Sequence, residues 1–157
     1  MKVDAQGVPV GLVELAAAVE EHLSTKPGRT IVAPGSTVAW DDCCAGQLWA
    51  RVITIVPLYK GTMNGVQCPT GYDFTLGVGV IRCVATVDDR GRAPSAQQIT
   101  RYGTAGQRDM REIADVLQSY RPVDALAGRL GTWTPLGPDG GCAGGEWTYQ
   151  MRTGADL

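Results

Sequence analysis

Apolar residues at Leu12, Leu15, Ala16, Val19 and Leu23 recur at the spacing of one helical face. Glu14, Glu20, Glu21 and His22 fall mostly off that face, so the stretch 8–23 reads as an amphipathic helix. Pro9 suits its first turn, and Lys26-Pro27-Gly28 stops it. A helix of this length cannot bury its stripe alone and has to lie on a sheet or on another chain. The period then changes to two. A short apolar piece at 30–33 is cut by Pro34-Gly35, and 36–40 reads as a strand ending at Trp40. The run 48–59 is the longest strand. Leu48, Ala50, Val52, Thr54 and Val56 take one face, and Trp49, Arg51, Ile53 and Ile55 the other. Both faces are largely apolar, which predicts a central position. A loop over 60–72 leads to a strand over 73–87, where Leu76, Val78, Val80 and Val84 alternate. Gly77 and Gly79 leave room on its opposite face for a close neighbour.

Residues 88–94 read as a turn. Ser95, with Gln98 three positions on, forms a capping box. The helix behind it carries Ile99, Tyr102, Gly106, Met110, Ile113, Leu117 and Tyr120 on one stripe and ends at Arg121-Pro122. Gly103 and Gly106 each cost about 1 kcal/mol in a helix interior, so they weaken its first half or admit another backbone. The stretch 123–130 fits either a short helix or irregular chain. Strands at 132–136 and 146–151 then flank 137–145, predicting a hairpin with a long mobile tip. Pro135 puts the first of these strands at an edge or a bulge. The sum is a single α+β domain over 1–157, with a mainly antiparallel sheet of four to six strands and two helices packed on it.

Composition narrows the function. The chain has 157 residues, 44% of them apolar and 19% charged, with a net charge of −2. A chain of this size buries roughly two thirds of its unfolded surface and needs no metal or disulfide to hold a core. The charge lacks the basic excess of sequence-specific nucleic-acid binders. No apolar run reaches membrane-spanning length, and 1–7 lacks the order of a signal peptide, so the expectation is a chain kept in cytoplasm. The five cysteines, Cys43, Cys44, Cys68, Cys83 and Cys142, form no C-x-x-C pair, and the single histidine is remote from them. They are expected as free thiols with no bound metal or cofactor. Cys83 reads as a small core residue, and at most one of Cys43 and Cys44 is buried. Whether Cys68 or Cys142 approaches Cys43 stays open. Asp41-Asp42 and Asp88-Asp89 stand at strand ends, where Asp makes turn hydrogen bonds. His22 lacks a nucleophile or carboxylate in register, Ser95 serves as a cap, and the glycine-rich tip lacks the Gly-Lys-Ser/Thr ending of a phosphate loop. No catalytic residues are assigned, and the expectation is a non-enzyme.

The four tryptophans carry more. Trp40, Trp49, Trp133 and Trp147 lie in or beside strands that flank polar, glycine-containing connectors. Core packing accounts for part of such a set, and Trp is also enriched at interface hot spots. Trp40, Asp41, Asp42 and Trp49 at one corner are therefore interface candidates. So are Trp133, Pro138, Asp139, Gly140, Gly141 and Trp147 around the tip.

Three stretches resemble a known group: Val-Ala-Trp-Asp-Asp-Cys-Cys-Ala-Gly-Gln-Leu-Trp at 38–49, Arg-Ala-Pro-Ser-Ala at 92–96, and Gly-Thr-Trp-Thr-Pro-Leu-Gly-Pro-Asp-Gly-Gly-Cys-Ala-Gly-Gly-Glu-Trp-Thr at 131–148. They look like proteins of the head-to-tail region of long-tailed actinobacteriophages, and most resemble the tail terminator. The resemblance implies a ring, typically of six subunits, that caps the tail tube and joins it to the head connector, with phage DNA passing through the lumen. It implies assembly in the host cytoplasm, residence at the head–tail junction of the virion, and no catalytic residues. A neck or head-completion protein (stopper or adaptor) is the nearest alternative, and a small cysteine-dependent redox or metal protein a more distant one. The mild acidity suits a lumen along which DNA slides, because phosphate binding needs Lys and Arg. A head-to-tail ring needs two different patches per subunit.

Overall fold

A computed structural model describes residues 10–40, 42–61, 65, 67–121 and 125–154. The readings placed on 1–9, on Asp41 and on Pro122 lie outside these residues. The order is α1 (Val10–His22), β1 (Arg29–Val32), β2 (Gln47–Tyr59), β3 (Pro69–Cys83), α2 (Ala96–Ser119), β4 (Ala125–Asp139) and β5 (Cys142–Gly154). The strands form one sheet in the order β1-β2-β3-β5-β4. Every pairing is antiparallel except β1 with β2. The protein is thus α+β, with a mostly antiparallel five-stranded sheet and both helices packed on it.

The α1 stripe behaves as its period requires. Leu12, Leu15, Ala16, Val19 and Leu23 are all buried, against Leu48, Val78 and Val80 of the sheet and Ile113 and Leu117 of α2. Lys26 Nζ donates to the free Glu20 carbonyl at 2.9 Å and also to that of Glu21, satisfying the end of α1. The Ser95–Gln98 capping box starts α2: Gln98 N–H donates to Ser95 Oγ and Ser95 N–H to Gln98 Oε1. The second half of α2 buries Asp109, Ile113, Ala114 and Leu117, whereas the first half is largely exposed. A Cβ added at Gly103 or Gly106 would meet nothing within 4 Å. Among the described residues no backbone of this chain approaches these glycines, which leaves their cost to the first half of the helix.

Four expectations need correction. Residues 36–40 are not a strand. Parallel β1 and β2 cannot be joined by a tight turn, and 33–46 is the irregular crossover between them, laid over the sheet face opposite the helices. The strand expected at 73–87 is shifted, running from Pro69 to Cys83, because 84–87 has left the ladder while 69–72 pairs with β2 and β5. Central placement of β2 holds only for its first part. β1 covers it at Gln47–Ala50, and beyond a register shift between Val52 and Thr54 its side chains are exposed apart from a half-buried Leu58. The long mobile tip is instead a two-residue turn. β4 extends to Asp139 and β5 begins at Cys142. Gly140 (φ 54°) and Gly141 (φ 78°) supply the two positive φ values of a type I′ turn. The stretch 123–130, left open between short helix and irregular chain, enters β4 at Ala125, with 122–124 outside the described residues. β4 is the sheet edge, as Pro135 requires.

Candidate functional site

The face of the sheet away from the helices carries a second, smaller core. Ala33, Val38, Cys43, Trp49, Ile81 and Cys142 form it, with Ile31, Trp40, Cys83 and Leu136 packed against them. The crossover 33–46 is its lid. Gln47 Nε2 donates to the Ala39 carbonyl at 3.0 Å, and Arg51 Nη1 donates to the Ser36 carbonyl. Cys83 N–H donates to the Cys43 carbonyl at 3.1 Å, and Gly46 N–H closes a turn onto the same oxygen at 2.9 Å.

Trp49 is the floor of this region and is fully buried. Its neighbour in register is Gly79, where an added Cβ would lie 2.3 Å from the indole. The room left by Gly77 and Gly79 is therefore filled, by the Trp49 ring and by the Glu146 carboxylate. Glu146 is buried and its oxygens are fully engaged. They accept from Trp49 Nε1 at 2.5 Å, Arg51 Nε at 2.9 Å and Arg51 Nη2 at 2.7 Å. The hydrogen bond to Glu146, with its negative charge, raises the Arg51 pKa above its ordinary value against the cost of burial.

Four of the five cysteines converge beside this floor. Cys43 is bonded to Cys142 and Cys44 to Cys83. The free-thiol expectation is thus corrected: the crossover brings adjacent Cys43 and Cys44 onto the ends of β5 and β3, where Cys83 and Cys142 are register partners. Only Cys68 is free, and it is exposed. Cys43 is buried and Cys44 exposed, so one of the two is buried, at a turn and not in an extended strand. Cys83 is half-buried and cross-linked, not a simple core residue. The open question about Cys43 is resolved in favour of Cys142 over Cys68.

The candidate interface residues separate into three groups. Trp40 stacks on Trp49 with ring centroids 6.3 Å apart, and Asp42 Oδ1 accepts the Cys44 N–H at 2.9 Å in a turn. Trp133 and Trp147 pack against each other at 5.7 Å on the helix face, and Trp147 Nε1 donates to the Met110 carbonyl at 2.8 Å. Trp133 lies over Gly145, whose added Cβ would sit 2.2 Å from the ring. Pro138, Asp139 and Gly140 are exposed at the hairpin end, and Gly141 accepts the Val84 N–H at 2.8 Å. Trp49 is fully enclosed and offers a partner nothing. Asp88 is a turn residue: its Oδ1 accepts from Arg90 N–H and Arg92 N–H, each at 2.9 Å.

Sequence reasoning missed Glu146, Arg51 and the pairing of the cysteines. The signal for Glu146 was a carboxylate on a strand opposite Gly79 and diagonal to Gly77, which only the β3–β5 register reveals. It also missed the exposed distal half of β2, which has β3 on one side and, among the described residues, no strand on the other. There Ile55, Val56 and Tyr59 are each half exposed or more. A groove of about 550 Å³ lies between the first half of α2 and the sheet, lined by Ile99, Tyr102, Gly106, Met110, Trp133 and Pro138. The Asp109 carboxylate, also on this groove, pairs with Arg82 Nε at 2.6 Å and Nη2 at 3.0 Å.

No protein-family model matches the chain, and no curated protein matches it. Among the described residues no helix is long and apolar enough to cross a membrane.

Proposed function

We propose that this chain is a structural protein of a phage head–tail junction, a tail terminator that forms a ring on the tail tube and receives the head connector, with DNA passing through non-specifically. The resemblance at 38–49, 92–96 and 131–148 suggests the family. One observation carries the assembly: the sheet has two unlike open edges. Among the described residues no strand pairs with Arg51–Tyr59 on the β1 side, and β4 pairs only with β5. Unpaired N–H and C=O groups on a long edge are a template for another chain. Two different edges at opposite ends of one sheet suit the heterologous contact from which rings are built. The exposed Ile55, Val56 and Tyr59 beside one edge add apolar area to such a contact.

Size-exclusion chromatography with light scattering, followed by electron microscopy of purified tail tubes mixed with the chain, tests this. A ring, or tubes capped at one end, is expected, and both should be lost in Ile55→Lys while circular dichroism is unchanged. A monomer at every concentration that leaves tubes uncapped would refute the proposal. A head-completion protein of the same junction would bind connector and not tube. The cysteine cluster favours a second reading, a small redox or metal protein. A folded monomer that leaves tubes and connectors unbound while turning over a thiol–disulfide substrate would support that reading instead.

A further inference from the structure

Three cysteine sulfurs from two different cross-links cluster together, and the fourth, that of Cys142, joins them through its bond to Cys43 and must shift to complete a tetrahedron. The Sγ atoms of Cys43, Cys44 and Cys83 all lie within 4.8 Å of one another, and Cys142 Sγ is bonded to that of Cys43. Cys43 Sγ and Cys83 Sγ, which belong to different disulfides, are 3.9 Å apart. With zinc–sulfur bonds of about 2.3 Å, the edge of a tetrahedral four-sulfur site is about 3.8 Å. The backbone supporting the sulfurs is well tied. Cys83 and Cys142 are register partners on adjacent strands, and the Cys43-Cys44 turn is held by the Asp42 carboxylate and by the Cys83 N–H. No imidazole or carboxylate joins the set among the described residues. An all-sulfur donor set selects a thiophilic ion over magnesium or calcium.

We infer that Cys43, Cys44, Cys83 and Cys142, when reduced, form a tetrathiolate site for one zinc ion. The ion replaces both disulfides while keeping the same connection, the 33–46 crossover fastened to the ends of β3 and β5. Two equivalents of a dithiol reduce the two disulfides to four thiols and are themselves oxidised to disulfides. Zinc then binds as the four thiols release four protons. Disulfides do not persist in a reducing cytoplasm, so there the site is a metal clamp, and in an oxidising medium it is a pair of cross-links. This inference stands apart from the proposed role in a virion, since it concerns only how the chain is fastened.

The full chain is reduced with a phosphine, freed of small molecules under argon and titrated with zinc or cobalt(II). Metal analysis should find one ion per chain. Alkylation followed by mass spectrometry should find four cysteines protected at least tenfold in rate, with Cys68 reacting freely. Cobalt should give the thiolate charge-transfer band and visible spectrum of a tetrahedral all-sulfur site. Cys68→Ser should keep this behaviour, and Cys142→Ser should weaken binding at least a hundredfold. Failure of the reduced chain to retain zinc at low-micromolar free metal overturns the inference, whether or not the reduced chain stays folded. So does zinc binding unaffected by Cys142→Ser, or protection that includes Cys68.

Discussion

Replacing Glu146 by Ala tests the account of the second core most directly. The carboxylate is buried and holds three donors, Trp49 Nε1, Arg51 Nε and Arg51 Nη2. Its removal leaves a guanidinium whose side chain is only 14% exposed without its counter-charge, and a fully buried indole N–H without an acceptor. Breaking a buried ion pair from one side costs about 3–5 kcal/mol. The residual exposure of Arg51 lets water reach part of the orphaned charge and lowers that figure, while the stranded indole adds about 1 kcal/mol or more. The expected loss is about 3–4 kcal/mol. Urea unfolding followed by Trp fluorescence would read it as a fall in midpoint of about 1–4 M at unchanged slope, given slopes of about 1–3 kcal/mol/M. The double variant Glu146→Ala, Arg51→Met should cost at least about 1 kcal/mol less than the sum of the single changes, because the orphaned charge is then gone. A Glu146→Ala protein within about 0.5 kcal/mol of the parent, or a double variant that is simply additive, would refute the reasoning.

Three further outcomes follow from the same structure. Cys43→Ser with Cys142→Ser opens a loop of sequence separation 99 and should destabilise the oxidised protein by about 4–5 kcal/mol, measured as a lower urea midpoint without reductant. Gly103→Ala and Gly106→Ala meet no neighbour, so each should stabilise the isolated chain by about 0.5–1 kcal/mol in thermal unfolding; a loss would mean that another chain occupies this surface. The Tyr120 hydroxyl, which donates to the Gly11 carbonyl, has its pKa pushed up to about 12, first by burial and then by Glu14 and Tyr149. Its folded value lies above its unfolded value near 10, so the stability it contributes is complete below about pH 10 and is lost as pH rises through about 12. Tyr120→Phe should flatten that alkaline loss, by on the order of 1–2 kcal/mol for a partly exposed group, in urea midpoints compared at about pH 9 and pH 11.

Periodicity made the helix face of the sheet legible and left the other face dark. The α1 stripe, the capping box at Ser95, the β2 core at Leu48 and Ala50, and the edge position of Pro135 each follow from a local rule about spacing, capping or a missing N–H. Burial on the second face depends on a 14-residue crossover with no period of its own, at 33–46. Val38 and Trp40 look like strand residues because their alternation is real; what is absent is a partner ladder, and no single stretch of sequence encodes that. The tip was misread for a similar reason. A high glycine count suggests an ordering cost of on the order of 1 kcal/mol per residue. Most of 137–145 is nevertheless held in the hairpin: Gly140 and Gly141 use their freedom in the turn, and Gly137 (φ 78°) uses its own at the register shift between Leu136 and Asp139.

The cysteines show how far pairwise spacing can mislead. Neither Cys43 nor Cys44 stands in a C-x-x-C, and their partners lie 99 and 39 residues away. What unites the four is the register that sets Cys83 beside Cys142, together with the crossover that returns the chain to that end of the sheet. The same fastening gives the two ends of the sheet unlike character. At one end both faces are covered, by helices and by the clamped crossover. At the other, the distal half of β2 is an open edge with Ile55, Val56 and Tyr59 exposed. An apolar edge without cover is costly to a chain that acts alone, since it invites edge-to-edge association. It is consistent with a subunit whose β2 edge is covered by a neighbour, while the cross-linked crossover fastens the opposite end of the sheet.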